Sequence, residues 1–202
     1  MIEFDEKKHQ YKVNGKVVPS VTEILKFLSV DTSANASPYL RQQAADRGTR
    51  IHEATIIYDY AGMDDELIDA DIYPYIKAYA DFVRDYRIRG YLLTEHALTN
   101  GEYAGTLDRL AVIDGKISVI DFKTGTTVDK LKEAAQLYAY AKLLADNEMY
   151  RDRYGDFGAF VLRLKRDGTY TVQERNIYRG KVFFEKCKEL YQLIKEEKNY
   201  GK

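Results

Sequence analysis

The segment AVIDGKISVIDFKTG, residues 111–125, constrains the fold more than any other part of the chain. Two apolar stretches flank the pair Asp114-Gly115, and Asp-Gly is a preferred two-residue loop of the type I′ β-hairpin. With that loop, Ile113 faces Lys116 across the turn, and the numbers of all further facing residues have the same sum. The sequence therefore predicts an antiparallel hairpin with a defined register.

This register places two carboxylates on the apolar face of the hairpin. Asp108 lies opposite Asp121, and period-2 alternation puts both on the side of Leu110, Val112, Ile117 and Val119. Directly opposed side chains have Cβ atoms about 4.5–5.5 Å apart, where like charges are destabilising. A cation is therefore expected between them. Lys123 is one candidate, but a hard divalent ion suits carboxylate oxygens better. The alternative is a surface hairpin with solvated acids, which leaves their place on the apolar face unexplained.

The order of predicted elements indicates an α/β (α+β) sandwich in which helices flank a central mixed β-sheet. Glycine, proline and capping signals divide the chain. They predict a hairpin turning at Asn14-Gly15, a helix from Val21 to about Leu28 opened by a Ser20/Glu23 capping box, a helix from Ser37 to about Ala61, an acidic connector over 62–71, a helix from about Ile72 to Ile88, strands over 91–99, 102–113 and 116–124, a helix over 128–146, two strands within 156–177, and a helix over 179–198.

Length and composition limit the classes of protein. The 202 residues fit one domain, with an N-terminal hairpin and helices (about 1–90) before a core (about 91–202). The net charge of −1 argues against binding nucleic acid through the overall charge of the protein. Any contact with a polyanion would therefore need a local group of basic residues. The single cysteine, Cys187, excludes an internal disulfide and a four-thiolate zinc or iron–sulfur site. No signal peptide or apolar run of membrane length is present, and a cytoplasmic protein is expected.

Four further side chains are candidates for a site beside the hairpin. Glu95 lies mid-strand and could reach the two acids, or it is an exposed strand glutamate. Gln136 and Tyr140 are spaced i, i+4 and share one helix face, although an ordinary helix edge gives the same spacing. His52 follows Gly48 in a helical stretch, where a hydrogen-bonded core histidine is the common alternative to a ligand.

Taken together, GTLDRL, DFKTG and QLYAY resemble the motifs of the PD-(D/E)XK nuclease superfamily, and within it the RecB-like branch of exonucleases. Asp108 matches the first catalytic acid, and Asp121 with Lys123 matches the D-x-K pair. Gln136 and Tyr140 match the Q-x-x-x-Y helix motif.

The resemblance extends to the N-terminal half of the chain. His52 with Gly48 matches the upstream histidine motif of the branch, and Glu95 fits its additional acid. YKVNGKVVPSVTEIL is similar to the N-terminal signature of phage-type and mitochondrial genome-maintenance exonucleases, which favours a bacterial or phage origin. Two features depart from the pattern: Leu107 stands where the superfamily is named for proline, and the cysteines of cluster-bearing relatives are absent.

The resemblance implies a restriction-endonuclease-like fold and a metal-dependent DNA exonuclease acting from a single-stranded end. One or two Mg²⁺ or Mn²⁺ ions, and no iron–sulfur cluster, would be held by Asp108, Asp121 and the carbonyl of Phe122, with His52 or Glu95 completing the shell. Lys123 would orient the attacking water and stabilise developing charge. The helix pair Gln136 and Tyr140 would position the substrate strand.

Basic residues of the predicted helix over 37–61 are candidates for contacts with substrate phosphates. They are Arg41, Arg47 and Arg50, for which a solvated helix face is an equal alternative. The helices over 20–61 could arch above the site or pack flat on the sheet. Three other functions stay open: an endonuclease of the same fold, a non-catalytic nucleic-acid-binding protein, and a partner-binding domain.

Overall fold

The structure, a computed structural model, describes residues 2–5, 10–26, 37–62, 68–147 and 157–200. Eight strands and five helices form in these ranges. They are β1 (Ile2–Asp5), β2 (Gln10–Val13), β3 (Lys16–Val18), α1 (Val21–Lys26), α2 (Pro38–Ala61), α3 (Tyr73–Asp85), β4 (Leu93–Thr99), β5 (Ala104–Ile113), β6 (Lys116–Lys123), α4 (Lys130–Asp146), β7 (Gly158–Leu164), β8 (Tyr170–Glu174) and α5 (Ile177–Tyr200).

The central sheet has the order β4-β5-β6-β7-β8. Neighbouring strands are antiparallel except β6 and β7, which are parallel and are connected through α4. α1, α4 and α5 pack on one face of the sheet, and α2 and α3 pack on the other. The predicted fold class, a mixed sheet flanked by helices, is confirmed.

The predicted hairpin register is also confirmed. Asp114 and Gly115 have φ of 50° and 78°, as a type I′ loop requires. Ile113 pairs with Lys116, and the ladder continues in this register to Arg109. The prediction that the apolar residues on this face of the hairpin are all buried is wrong for Val112, which is 50% exposed at the outer end of the hairpin.

β4 and β5 are both irregular at the level of the predicted site. Leu107 and Leu110 belong to the same core layer although strict alternation would place them on opposite faces, so β5 changes face near Asp108. On β4, Glu95 has φ of 42°, in the left-handed region. Such irregularities in strands often accompany active sites, because they redirect a side chain out of the regular pleat.

The N-terminal strands form a separate sheet of order β1-β2-β3. The predicted turn at Asn14-Gly15 is present, but β1 adds a third strand that was not predicted; residues 6–9 lie outside the described ranges. This sheet is attached to the central one where the Ala104 N–H donates to the Pro19 carbonyl.

The predicted helices are present with small shifts of their ends. Ser20 caps α1 by accepting from the Glu23 N–H, but the Glu23 carboxylate accepts from the Tyr191 hydroxyl, so the capping box is only half formed. α3 ends at Asp85, three residues before the predicted Ile88. Much of the acidic connector, 63–67, and the end predicted for the first helix lie outside the described residues. Among the helices described, none combines the length and the apolar character that a membrane span requires.

Candidate active site

A cavity of about 600 Å³ opens where the sheet, α2 and the N-terminal sheet meet. Asp108, Asp121 and Lys123 line it from the central sheet, Gly48 and His52 from α2, Gln136 and Tyr140 from α4, and Phe4 and Tyr11 from the N-terminal sheet. The structure thus brings together the acids, the lysine, the histidine and the helix pair that the sequence singled out.

The two acids lie where β5 and β6 separate. The ladder ends at Arg109 and Ile120, one position before the predicted Asp108–Asp121 pair. There the Asp108 carboxylate accepts a hydrogen bond from the Phe122 N–H at 2.6 Å, in place of a backbone partner. Asp121 is only 2% exposed, which excludes the surface hairpin with solvated acids.

A second group of ligand-type atoms adjoins Asp108. His52 Nδ1 lies 3.0 Å from Glu95 Oε1 and 3.8 Å from Asp108 Oδ1. One ligand atom from each of these three residues can be chosen so that all lie within 4.8 Å of one another. Carboxylate oxygens and an imidazole nitrogen at this separation suit a divalent ion.

Burial dominates the electrostatics of the acid cluster. It raises the pKa of Asp108 to about 7, and repulsion from Asp121 and Glu95 adds to the effect although His52 and Lys123 oppose it. Burial also lowers the pKa of His52, but attraction to Asp108 and Glu95 outweighs this and leaves that pKa above its usual value. Protons therefore occupy the cluster near neutral pH when no metal is bound.

Lys123 links the acids to α4. Its Nζ lies 2.7 Å from Asp121 Oδ2 and donates to Gln136 Oε1 at 3.2 Å. The Gln136 amide in turn donates to the Tyr140 hydroxyl at 3.2 Å. Burial lowers the pKa of Lys123, but the neighbouring Asp121 and Asp108 raise it further, so the side chain stays cationic. Burial and the same two acids hold the pKa of Tyr140 well above its ordinary value, which keeps its hydroxyl protonated.

The donor set fits a divalent cation. Asp121 Oδ2 is buried, and the Lys123 ammonium offsets its charge at 2.7 Å without the alignment of a hydrogen bond. Lone pairs of this carboxylate that no aligned donor takes up are available to a hard cation, which prefers carboxylate oxygens. The N–H and C=O of a strand residue point to the same side. Since the Phe122 N–H faces Asp108, we infer that the Phe122 carbonyl faces the acids as well.

A family model of the PD-(D/E)XK nuclease superfamily matches residues 28–200. The chain belongs to this superfamily. No curated protein matches its sequence.

Solved structures of similar shape are distant from this PD-(D/E)XK chain. The alkaline exonuclease LHK-Exo from Laribacter hongkongensis matches over 92% of this chain and 95% of its own, with 13% identity and a TM-score of 0.31, both alone and in complex with dAMP. The structure of SSO0001 matches over 84% of both chains, with 14% identity and a TM-score of 0.31. Membership of the superfamily therefore rests on the family model.

The three arginines predicted to contact phosphates lie on α2 outside the cavity lining of the PD-(D/E)XK site. Arg50 forms ion pairs with Asp69 and Asp71 just before α3. Arg41 is exposed near the start of α2, and Arg47 is half-buried one residue before the cavity-lining Gly48. A contact between these arginines and substrate stays a prediction.

Arg109 is a residue of this PD-(D/E)XK site that sequence reasoning missed. Although fully buried, it donates to Asp59, to Thr55 and, at 3.1 Å, to the metal-ligand candidate Glu95. Its guanidinium also lies 5.1 Å from the centre of the Phe122 ring. The only signal in the sequence is its position directly after Asp108.

Gly105 is a second missed position. A Cβ built there would lie 2.8 Å from Cε1 of Tyr140, closer than real side chains approach. Glycine at this point of β5 therefore lets α4 bring Tyr140 down to the cavity of the PD-(D/E)XK site.

Proposed function

We propose that the protein is a divalent-metal-dependent deoxyribonuclease that removes nucleotides from a single-stranded end, as the RecB-like exonucleases of the superfamily do. The observation that carries the proposal is the convergence of three acids, a histidine and a cationic lysine on one cavity. A protein that only bound nucleic acid would have no need for an acid cluster that repels phosphate.

One or two Mg²⁺ or Mn²⁺ ions would be held by Asp108, Asp121 and the Phe122 carbonyl, with His52 or Glu95 as further ligands. Bound there, such an ion supplies Lewis acidity and lowers the pKa of a coordinated water. Arg109 holds the Glu95 carboxylate from the interior side, so that its other lone pairs can face the cavity.

Lys123 supplies a compact positive charge at the acids, where it orients the attacking water and stabilises the negative charge that develops on the phosphoryl oxygens. Its bond to Gln136 fixes the direction of the ammonium group. Gln136 and the protonated Tyr140 hydroxyl offer donors to the substrate strand at the edge of the cavity.

Support for DNA with a free end comes mainly from the resemblance of the motifs to RecB-like exonucleases. The 18 tyrosines of the chain agree with it, because aromatic rings stack on unpaired bases. Positive charge for flanking phosphates is offered by Arg41 and Arg47 and by the exposed Lys130 at the start of α4.

The test is hydrolysis of end-labelled single-stranded DNA by the wild type and by Asp108→Asn and Asp121→Asn. With Mg²⁺ or Mn²⁺ the wild type should be active, and EDTA should abolish the activity. Each substitution should lower kcat/KM by about 10³-fold or more, because several kcal/mol of charge stabilisation are lost. Asp46→Asn, on the exposed part of α2, is the matched control. Full activity in EDTA would contradict the proposal.

A further inference from the structure

The cavity has two chemically different walls. The acids, Lys123 and His52 form the polar wall, and Phe4 and Tyr11 of the N-terminal sheet form part of the wall outside the central sheet. The aromatic residues take no part in the hydrolytic chemistry described above. We propose that Phe4 is the stacking platform for one unpaired base of the substrate strand. This inference rests on the proposed function.

Tyr11 fixes the position of the aromatic pair relative to the acids. Its hydroxyl is 2.8 Å from Thr106 Oγ1, and Thr106 lies two residues before Asp108 on β5. The Tyr11 ring itself is buried, with 3% of its surface exposed. The Phe4 ring lies against it with centroids 4.5 Å apart and planes inclined by 31°. The buried tyrosine thus supports the phenylalanine at a defined height above the catalytic strand.

Phe4 keeps part of its side chain exposed although Tyr11 supports it. It is 38% exposed and lines the cavity, whereas neighbouring Tyr11 is part of a core cluster. Exposed apolar surface next to a polar site forfeits burial energy in the free protein. A base stacked on the ring would cover this surface and contribute about 1–3 kcal/mol, regardless of which base it is.

The dimensions of the cavity favour a single unpaired nucleotide. A volume of about 600 Å³ lies within the range of small-ligand sites, about 300–1,000 Å³, and well below the bulk of a duplex. Inside a duplex both faces of each base are covered by its neighbours, so a ring on the protein can stack only on an unpaired base or on the outer face of a terminal pair. A single base is smaller than a pair, so the platform favours a single-stranded end at the site of hydrolysis.

The experiment combines Phe4→Ala with oligonucleotides that carry one abasic nucleotide, moved stepwise from the labelled end. With intact single-stranded DNA, Phe4→Ala should lower kcat/KM by about 5- to 150-fold, the equivalent of one stacked base. At one abasic position the wild type should lose the same factor, and Phe4→Ala should then cause no further loss. Phe4→Tyr should restore activity, and Phe4→Leu should not.

Tyr60→Ala is the control for loss of an exposed aromatic ring, since Tyr60 is 85% exposed on α2 and does not line the cavity. The inference is wrong if Phe4→Ala lowers activity by the same factor at every abasic position, or has no effect on intact DNA. If the wild type cleaves no DNA, the proposed function fails separately. The same abasic series, measured as binding affinity on Asp108→Asn in EDTA, then decides whether the platform exists.

Discussion

At the scale of single residues, Asp108 is the side chain whose environment conflicts most with its charge. Burial raises its pKa to about 7 from an ordinary value of 3.8. The folded protein therefore holds a proton on this carboxyl that the unfolded chain has lost, between about pH 4 and pH 7. Since the unfolded state binds fewer protons in this window, stability of the metal-free protein must fall as pH rises through it.

Asp108→Asn should remove this pH dependence and leave the metal-free protein at pH 8 as stable as the wild type, or more stable by on the order of a few kcal/mol. The asparagine oxygen can still accept from the Phe122 N–H. Denaturant unfolding in EDTA at pH 5 and pH 8 measures the difference between the two proteins. The contribution of His52 does not cancel in this comparison, because attraction to Asp108 is part of what raises the His52 pKa. The same measurement with His52→Gln introduced into both proteins isolates the effect of the Asp108 carboxyl. A variant less stable than the wild type at pH 8 would mean that the carboxylate has a structural role.

Lys123 has a different role from the acids, because an ammonium group cannot bind a metal ion and acts on the transition state. Lys123→Ala should lower kcat by about 10²–10³-fold. Calorimetric affinity for Mn²⁺ should not weaken, since the substitution removes a positive charge 2.7 Å from Asp121. Lys116→Ala, exposed at the other end of β6, is the control. Collapse of metal affinity in Lys123→Ala alone would contradict this role.

Residues 50 and 109 show which parts of the site a sequence can predict. Asp108, Asp121 and Lys123 could be placed beside one another from the sequence because their spacing on one hairpin is local, and all three line the cavity. Arg109 was missed because the partners that make its burial possible, such as Asp59, come from distant elements. Arg50 was predicted to contact phosphate because its ion pair with Asp71 is equally hidden from the sequence. That pair depends on how α2 and α3 pack.

At the scale of elements, the position of α4 determines where Gln136 and Tyr140 stand. α5 packs closely on α4 at Gly180, where an added Cβ would collide with the carbonyl oxygen of Ala134. Both partners at this contact are backbone, which cannot move aside as a flexible side chain can.

Gly180→Ala should therefore destabilise the protein by about 1–3 kcal/mol or more, and should lower activity by displacing the two α4 side chains. Gly90→Ala is the control, because a Cβ at residue 90 would meet nothing within 4 Å. Denaturant unfolding of both variants tests the prediction. An equal free energy of unfolding for Gly180→Ala and Gly90→Ala would contradict it, because α4 and α5 would then have moved apart without loss of stability.

Elements that begin or end with local signals were predicted well. Ser37 accepts from the Leu40 N–H, and α2 begins at this predicted cap. α4 begins at Lys130 after a cap at Asp129, which accepts from the Lys132 N–H, two residues after the predicted start at Val128. β1 was not predicted, since its pairing with β2 has no turn signal comparable to Asn14-Gly15. The irregular backbone at Glu95 was equally invisible, because nothing in the local sequence requires a glutamate with positive φ.

At the scale of the whole molecule, the cavity lies between two walls contributed by the first part of the chain. α2 borders it with His52 and Gly48, and the N-terminal sheet borders it with Phe4 and Tyr11. If these walls cover the site, a strand must enter by its end. Closed circular single-stranded DNA should then resist digestion, while the same molecule is degraded once it is linearised.

Gel analysis of the two forms under identical conditions, with Mn²⁺ and limiting enzyme, measures this preference. Rapid cleavage of the closed circle would make the protein an endonuclease of the same superfamily. The route of the substrate into a covered site depends on packing between distant segments, which family motifs do not encode.

The close packing of α5 on α4 has a practical consequence through Cys187. This thiol, the single one in the chain, is fully buried in the core layer that also contains Tyr140, and burial raises its pKa. A thiol reagent that changes colour on reaction can reach it only when α5 separates from α4 and α1, the helices on which it packs. The rate of this reaction in the native protein therefore measures how often the helical layer opens, without any added label.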